Sequence, residues 1–122
     1  MPILSGEVGA LTNLTSLNVR GNSLIGLPAS PGLRTLTQLR HLDISSNRVV
    51  SLGPVIGSLP SLRTLLARNN RMVSVSQEIG QLTALETLDL SFNALISLPT
   101  SLRQLEALRS LNLEYALGSS AC

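Results

Sequence analysis

Residues 85–99 read LETLDLSFNALISLP: Leu85, Leu88 and Leu90 are followed by Asn93, by Leu95 and Leu98, and by Pro99. The phrase recurs as LTSLNVRGNSLIGLP, LRHLDISSNRVVSLGP and LRTLLARNNRMVSVS. Asn22, Asn47, Asn70 and Asn93 lie 25, 23 and 23 residues apart. Leu11, Leu36, Leu59, Leu82 and Leu105, which open the units, keep the same intervals. The chain is therefore a tandem array with a period of 23, and its first unit carries two extra residues.

Each position of the phrase has a physical task. In LxxLxL the last two leucines are two apart, so on an extended strand they share one side and the residue between them takes the other. After the strand the chain must turn, and a turn inside a stacked coil leaves buried backbone donors and acceptors to satisfy. An asparagine side chain offers an acceptor and two donors at one site. Asn22, Asn47, Asn70 and Asn93 are accordingly expected to form a structural ladder, each bonding to its own coil and to a neighbour. A proline at Pro99, or at the equivalent turns, blocks strand extension. Beyond it Val8, Leu33, Ile56, Ile79 and Leu102 are expected to face back into the core. One such coil cannot bury its own apolar face, but a stack of them can.

These phrases resemble leucine-rich repeats over nearly the whole chain. The resemblance implies an α/β solenoid, or horseshoe, with a parallel β-sheet on the concave side and short helical or irregular convex segments. VSVSQEIGQL and ISLPTSLRQL look like the intracellular 23-residue class of Ras-group scaffolds and of scaffolds that pair such repeats with PDZ domains. The 24-residue plant receptor class is less similar, because its convex GxIP phrase is only echoed in LSGEVGAL and NSLIGLP. The expected organisation is one domain over 1–122. Residues 1–10 form the tail of a preceding unit. Four full units cover 11–35, 36–58, 59–81 and 82–104, and a degenerate partial unit and tail cover 105–122. The extra residues of the first unit are expected to bulge between Pro28 and Leu33. The fifth unit has Ala116 where asparagine is due.

An array that starts and stops inside a repeat is expected to be a piece of a longer solenoid. If each bare end exposes on the order of 300 Å² of apolar core, the cost is about 7 kcal/mol. Self-association through uncapped ends, or a truncated product without independent function, follows from the same arithmetic.

Composition narrows the function. Hydrophobic residues make up 43% of the chain, but charged residues only 13% and aromatics 2%. The net charge of +2 rests on arginine alone, with no lysine. Neither a strong basic field nor a stacking platform is available, so no nucleic-acid partner is expected. No apolar run approaches the ~18 residues of a membrane span, so no membrane insertion is expected. Cys122 is the only cysteine, which excludes an intrachain disulfide and points to a reducing, cytoplasmic setting. The sequon Asn13-Leu14-Thr15 is a short chance match.

No phosphate-binding glycine loop, metal-spaced Cys/His set or nucleophile elbow occurs, and no cofactor is expected. His41 and Asp43 share one face of a strand and could be imagined as a general-base pair. They read instead as part of a contact surface on a non-enzymatic chain. The outward strand residues form two columns: Ser16, His41, Thr64, Thr87, Ser110 and Asn18, Asp43, Leu66, Asp89, Asn112. Leu66 is apolar where its equivalents are Asn or Asp. Arginines and Phe92 gather in the middle units, and both residue types are common interface anchors. The expected partner-binding residues are His41, Asp43, Arg63, Thr64, Leu66, Arg68, Thr87, Asp89 and Phe92. The family resemblance implies a protein partner in signalling, such as a small GTPase or phosphatase, bound by a scaffold or regulatory segment. The rival reading is a ligand-binding ectodomain piece of a receptor. Five strands at ~4.8 Å make a face about 20 Å wide. Such a face offers on the order of 400 Å², half the ~800 Å² one partner gives to a standard interface.

Overall fold

Each LxxLxL phrase forms a strand of three residues: β1 Ser16–Asn18, β2 His41–Asp43, β4 Thr64–Leu66, β6 Thr87–Asp89 and β7 Ser110–Asn112. In this computed structural model, which describes residues 9–27 and 32–118, they make one parallel sheet in the order β1-β2-β4-β6-β7. Val8, the convex insertion between Pro28 and Leu33, most of the leading tail and Cys122 lie outside the described residues.

The middle residue of each inner strand, Leu42, Leu65 or Leu88, is fully buried, while its flanks are half-buried or exposed. That is the alternation a half-covered strand requires. A smaller two-stranded parallel sheet pairs β3 Ser51–Leu52 with β5 Ser74–Val75. The convex segments are 3-10 turns at Gly32–Thr35, Pro54–Ser58, Gln77–Gln81 and Thr100–Gln104. A tight turn of four or five residues fits where a full helix would overrun the coil. Ser76 caps the third of these by accepting the Glu78 amide.

Leu36, Leu59 and Leu82 are fully buried between strand and convex turn, together with Leu33, Ile56 and Ile79. Leu102, expected in the core, is only half-buried, and Leu11 is 54% exposed. Both belong to outer coils, which have fewer neighbouring coils to cover them.

The asparagines tie coil to coil. Asn47 Oδ1 accepts the amides of Asn22 (2.8 Å) and Leu24 (2.9 Å) from the preceding coil. Its Nδ2 donates back to the carbonyls of Val19, Ile44 and Ser45. Asn70 accepts from Val49 and donates to Ile44, Ala67 and Arg68. Asn93 accepts from Met72 and donates to Ala67, Leu90 and Ser91. Among the described residues the Asn22 side chain bonds within its own coil, to Val19 and Arg20.

Ala116 cannot extend the ladder, and the backbone takes over. The Leu95 amide donates to the Ala116 carbonyl at 3.0 Å, Gly118 donates to the Leu95 carbonyl at 2.9 Å, and Leu95 and Leu117 form a parallel bridge. The tail that loses the repeat motif thus still satisfies the coil beneath it.

Among the described residues one buried polar side-chain atom has no hydrogen-bond partner: the Ser101 hydroxyl, in the last 3-10 turn. Leaving a buried hydroxyl unmade costs about 1–3 kcal/mol. Replacing Ser101→Ala removes that penalty and almost no volume. We expect unfolding free energy to be unchanged or raised by about 1 kcal/mol. A urea titration that instead showed a loss of 1 kcal/mol or more would mean the hydroxyl has a partner.

Candidate functional site

Strand pairing places the outward residues in register. Ser16, His41, Thr64, Thr87 and Ser110 lie side by side, and so do Asn18, Asp43, Leu66, Asp89 and Asn112. Arg63 precedes β4 and Arg68 follows it by two residues, so the two bracket the central strand. The sheet therefore gathers His41, Asp43, Arg63, Thr64, Leu66, Arg68, Thr87 and Asp89 on or beside three adjacent strands.

The second column also has a structural role that the alternating pattern does not reveal. Oδ1 of Asn18, Asp43, Asp89 and Asn112 accepts the amide two residues further on, from Arg20, Ser45, Ser91 and Glu114, at 2.9–3.0 Å. These are Asx turns that close the strand end. Asp89 also accepts the Ser91 hydroxyl, and Ser45 and Ser91 are buried behind their aspartates. Asp43 and Asp89 are thus partly occupied by their own backbone. His41 and Asp43 share a face without a hydrogen bond between them, because Asp43 is turned towards Ser45.

Leu66 breaks this pattern. It has no acceptor to offer, and the Arg68 amide has no protein partner among the described residues. Where Ser45 and Ser91 are buried, the position two residues after Leu66 presents Arg68, exposed, with its guanidinium carbon 4.6 Å from the centre of the Phe92 ring. Phe92 in turn lies against Tyr115, ring centres 5.2 Å apart and tilted by 42°. A guanidinium over a ring and tilted aromatic pairs are both attractive arrangements.

Phe92 and Tyr115 hold left-handed backbone at φ 55° and 53°, as do Ser46 and Asn69 at the same place in their coils. In the first coil that place is Gly21, which adopts φ 73°. A left-handed conformation costs an ordinary L-residue about 1–2 kcal/mol. Two bulky aromatics accept that cost at the rim of the sheet, where Phe92 is 38% and Tyr115 70% exposed. Tyr115 is the member of this stack missing from the expected binding residues. Its 23-residue spacing from Phe92 was the available signal.

A further surface was not anticipated. Ile25, Val50, Val73 and Ile96 are all exposed and occupy the same place in four successive coils, three residues after each asparagine. Backbone bonds join them in a row: Val50 to Ile25, Val73 to Val50 and Ile96 to Val73. Reading each unit alone shows one apolar turn residue, whereas stacking makes a stripe.

A model of the leucine rich repeat matches residues 12–72 and again 60–116. The chain belongs to the leucine-rich-repeat family. No curated protein matches this leucine-rich-repeat chain. Among solved structures, a leucine-rich-repeat protein of Leptospira interrogans is 39% identical with a TM-score of 0.86, over 92% of this chain and 28% of its own. The plant peptide hormone receptor RGFR1, solved in complex with RGF2, has a TM-score of 0.77 at 24% identity, over 90% of this chain and 18% of its own. At that identity the receptor shares the fold alone. This leucine-rich-repeat chain spans less than a third of either structure's length. Leucine-rich-repeat domains generally mediate protein–protein interaction, and no helix among the described residues is long and apolar enough to cross a membrane.

Because Leu66 is half-buried on the sheet face, its replacement can separate folding from binding. Leu66→Asn gains an acceptor for the Arg68 amide, about 0.5–1.5 kcal/mol. It forfeits part of a leucine's burial, a term of similar size. We expect the two to offset, so that urea unfolding moves by less than about 1 kcal/mol. A larger loss would identify Leu66 as a core residue.

Proposed function

We propose that this leucine-rich-repeat chain is a non-catalytic segment of a scaffold or regulatory protein. Its concave face, centred on Leu66, Arg68 and Phe92, receives a protein partner. Leu66 carries the reading. It gives up a turn hydrogen bond that four of the five coils keep, and puts an apolar side chain between two strand-end arginines. Departures from a local rule without a net gain in stability are characteristic of binding sites. His41, Thr64 and Thr87 border Leu66, and Asp43 and Asp89 flank it.

A cytoplasmic setting is supported by the single cysteine, and signalling partners such as a small GTPase or a phosphatase by the likeness to the intracellular 23-residue class. A photo-crosslinking amino acid placed at Thr64 on the sheet, and in a separate variant at Arg103 on the convex turn, tests the face. Adducts to protein from the Thr64 probe alone are expected in cells. Equal adducts from both positions, or adducts only from Arg103, would remove the concave-face assignment.

A further inference from the structure

All of the chain's fixed positive side-chain charge is arginine, and none of the nine guanidinium groups is in an ion pair among the described residues. Arg40 and Arg63 stand next to each other at the entry to β2 and β4, joined by the hydrogen bond from the Arg63 amide to the Arg40 carbonyl. Arg48, Arg68 and Arg71 stand at the exit of the same two coils, and all five are exposed. The acidic groups nearby offset part of this charge but form no ion pair with it among the described residues. Asp43 and Asp89 accept their own turn amides. Glu86 lies between Arg63 and Arg109 in the entry column without pairing to either. Glu78 is on the convex side, bonded to Ser76. Five arginines thus stand on the two middle coils, Arg40, Arg63 and Arg68 at the strand ends and Arg48 and Arg71 just past the asparagine turns, against the three nearby carboxylates Asp43, Asp89 and Glu86. The excess positive charge calls for an acidic occupant.

Strand geometry narrows that occupant. Arg63 and Arg68 are exposed at the two ends of β4, at most about 16 Å apart, with Leu66 between them. On an extended partner, residues i, i+2 and i+4 face the same way and span about 13 Å. Two long guanidinium arms close the remaining few ångströms. Phe92 already holds one of those arms, with Arg68 stacked on its ring. A planar guanidinium that is held in place suits two-point binding of a carboxylate.

We infer that the middle coils bind an extended acidic protein segment, with carboxylates four residues apart clamped by Arg63 and Arg68 and an apolar side chain midway seated on Leu66. This rests on the concave-face reading and adds the chemistry of the partner to it.

The test is selection of random dodecapeptides by display against the immobilised full chain, followed by fluorescence anisotropy of the enriched peptides. The expected enrichment is Asp or Glu at two positions four apart with an aliphatic or aromatic residue midway. Affinity should fall at least tenfold for Arg63→Gln and for Arg68→Gln, and for Leu66→Asn. It should fall steadily with added salt, and Arg103→Gln should leave it unchanged. Circular dichroism and urea midpoints establish that each variant is folded, and the salt dependence reads the same contacts without any substitution.

Peptides without paired acids whose affinity still drops with Leu66→Asn would overturn the acidic segment and leave the concave face standing. Peptides indifferent to all three face variants, or no enrichment at all, would overturn both. Equal affinity after replacing the midway residue by glycine would mean attraction of any polyanion, and would overturn the proposal as well.

Discussion

Asn47→Ala is expected to lower the free energy of unfolding by about 3–5 kcal/mol, with each buried backbone group left unmade contributing about 1–3 kcal/mol. The side chain is only 7% exposed and serves two coils at once. Removing it strands the amides of Asn22 and Leu24, whereas the carbonyls of Val19, Ile44 and Ser45 lose one donor each and keep another, from Asn22 Nδ2, Asn70 Nδ2 and the Gly21 amide. The part-buried Asn22 amide can recruit water at modest cost, so the loss stays below two full penalties at their upper value.

A domain of this kind has 5–15 kcal/mol in total, so the variant should be largely unfolded at moderate urea. Asn47→Asp separates the two halves of the role. Its carboxylate can still accept from Asn22 and Leu24, but where Nδ2 donated it now sets an oxygen against three carbonyl oxygens. It should therefore not rescue the alanine variant at neutral pH. Asn93→Ala should cost less, about 1–3 kcal/mol, because Asn93 is half-buried and accepts only from Met72. Equal midpoints for Asn47→Ala and wild type in a urea titration would mean that water replaces the ladder freely.

Gly80→Val is expected to cost about 3 kcal/mol, at the upper end of what overpacking does. A Cβ at Gly80 would sit 2.5 Å from Gln104 Oε1, 2.8 Å from Ser101 Cβ and 2.9 Å from the Ser101 carbonyl oxygen. The glutamine tip can swing away. The Ser101 backbone cannot, because it belongs to the next 3-10 turn and its amide is bonded to Gln77. The substitution must therefore pry the convex turns of two coils apart. Gly57 makes the same close approach to Glu78, with the carbonyl at 2.7 Å, so the two glycines set how closely the middle turns stack.

Gly53→Ala is the contrast. Its φ of −78° is ordinary and nothing lies within 4 Å of the added carbon. It should be neutral or slightly stabilising, by about 0.5 kcal/mol, through the unfolded chain. Thermal melts of Gly53→Ala and Gly80→Val that coincided would show that the turns slide past one another without penalty.

The layout of the candidate face is legible in the sequence, and the reason is local. A strand alternates sides at every residue, so LxxLxL by itself states which residue of each unit is buried and which is outward. His41, Thr64 and Thr87, and separately Asp43, Leu66 and Asp89, could be written as columns because equal spacing brings equivalent residues side by side. The strand register places them so. What those side chains do once aligned was not legible. Asp43 and Asp89 look like free carboxylates in a period-2 pattern, yet each is spent in part on an amide two residues on. That bond depends on backbone direction at the strand end, which no alternation encodes.

The chain's period, its inward and outward residues, the asparagine at each turn and the family follow from the sequence by itself. Repetition of one unit with one apolar face has a single way to bury that face, which is stacking. Tertiary structure alone decided how neighbouring coils meet. The Arg68, Phe92 and Tyr115 stack joins residues 24 and 23 apart. Ile25, Val50, Val73 and Ile96 become a continuous stripe only when four coils lie in line. The Leu95 amide finds the Ala116 carbonyl after the asparagine is lost. Periodicity specifies the side of the chain a residue occupies. The lateral offset between coils, set by packing at places such as Gly57 and Gly80, specifies which residue it meets there.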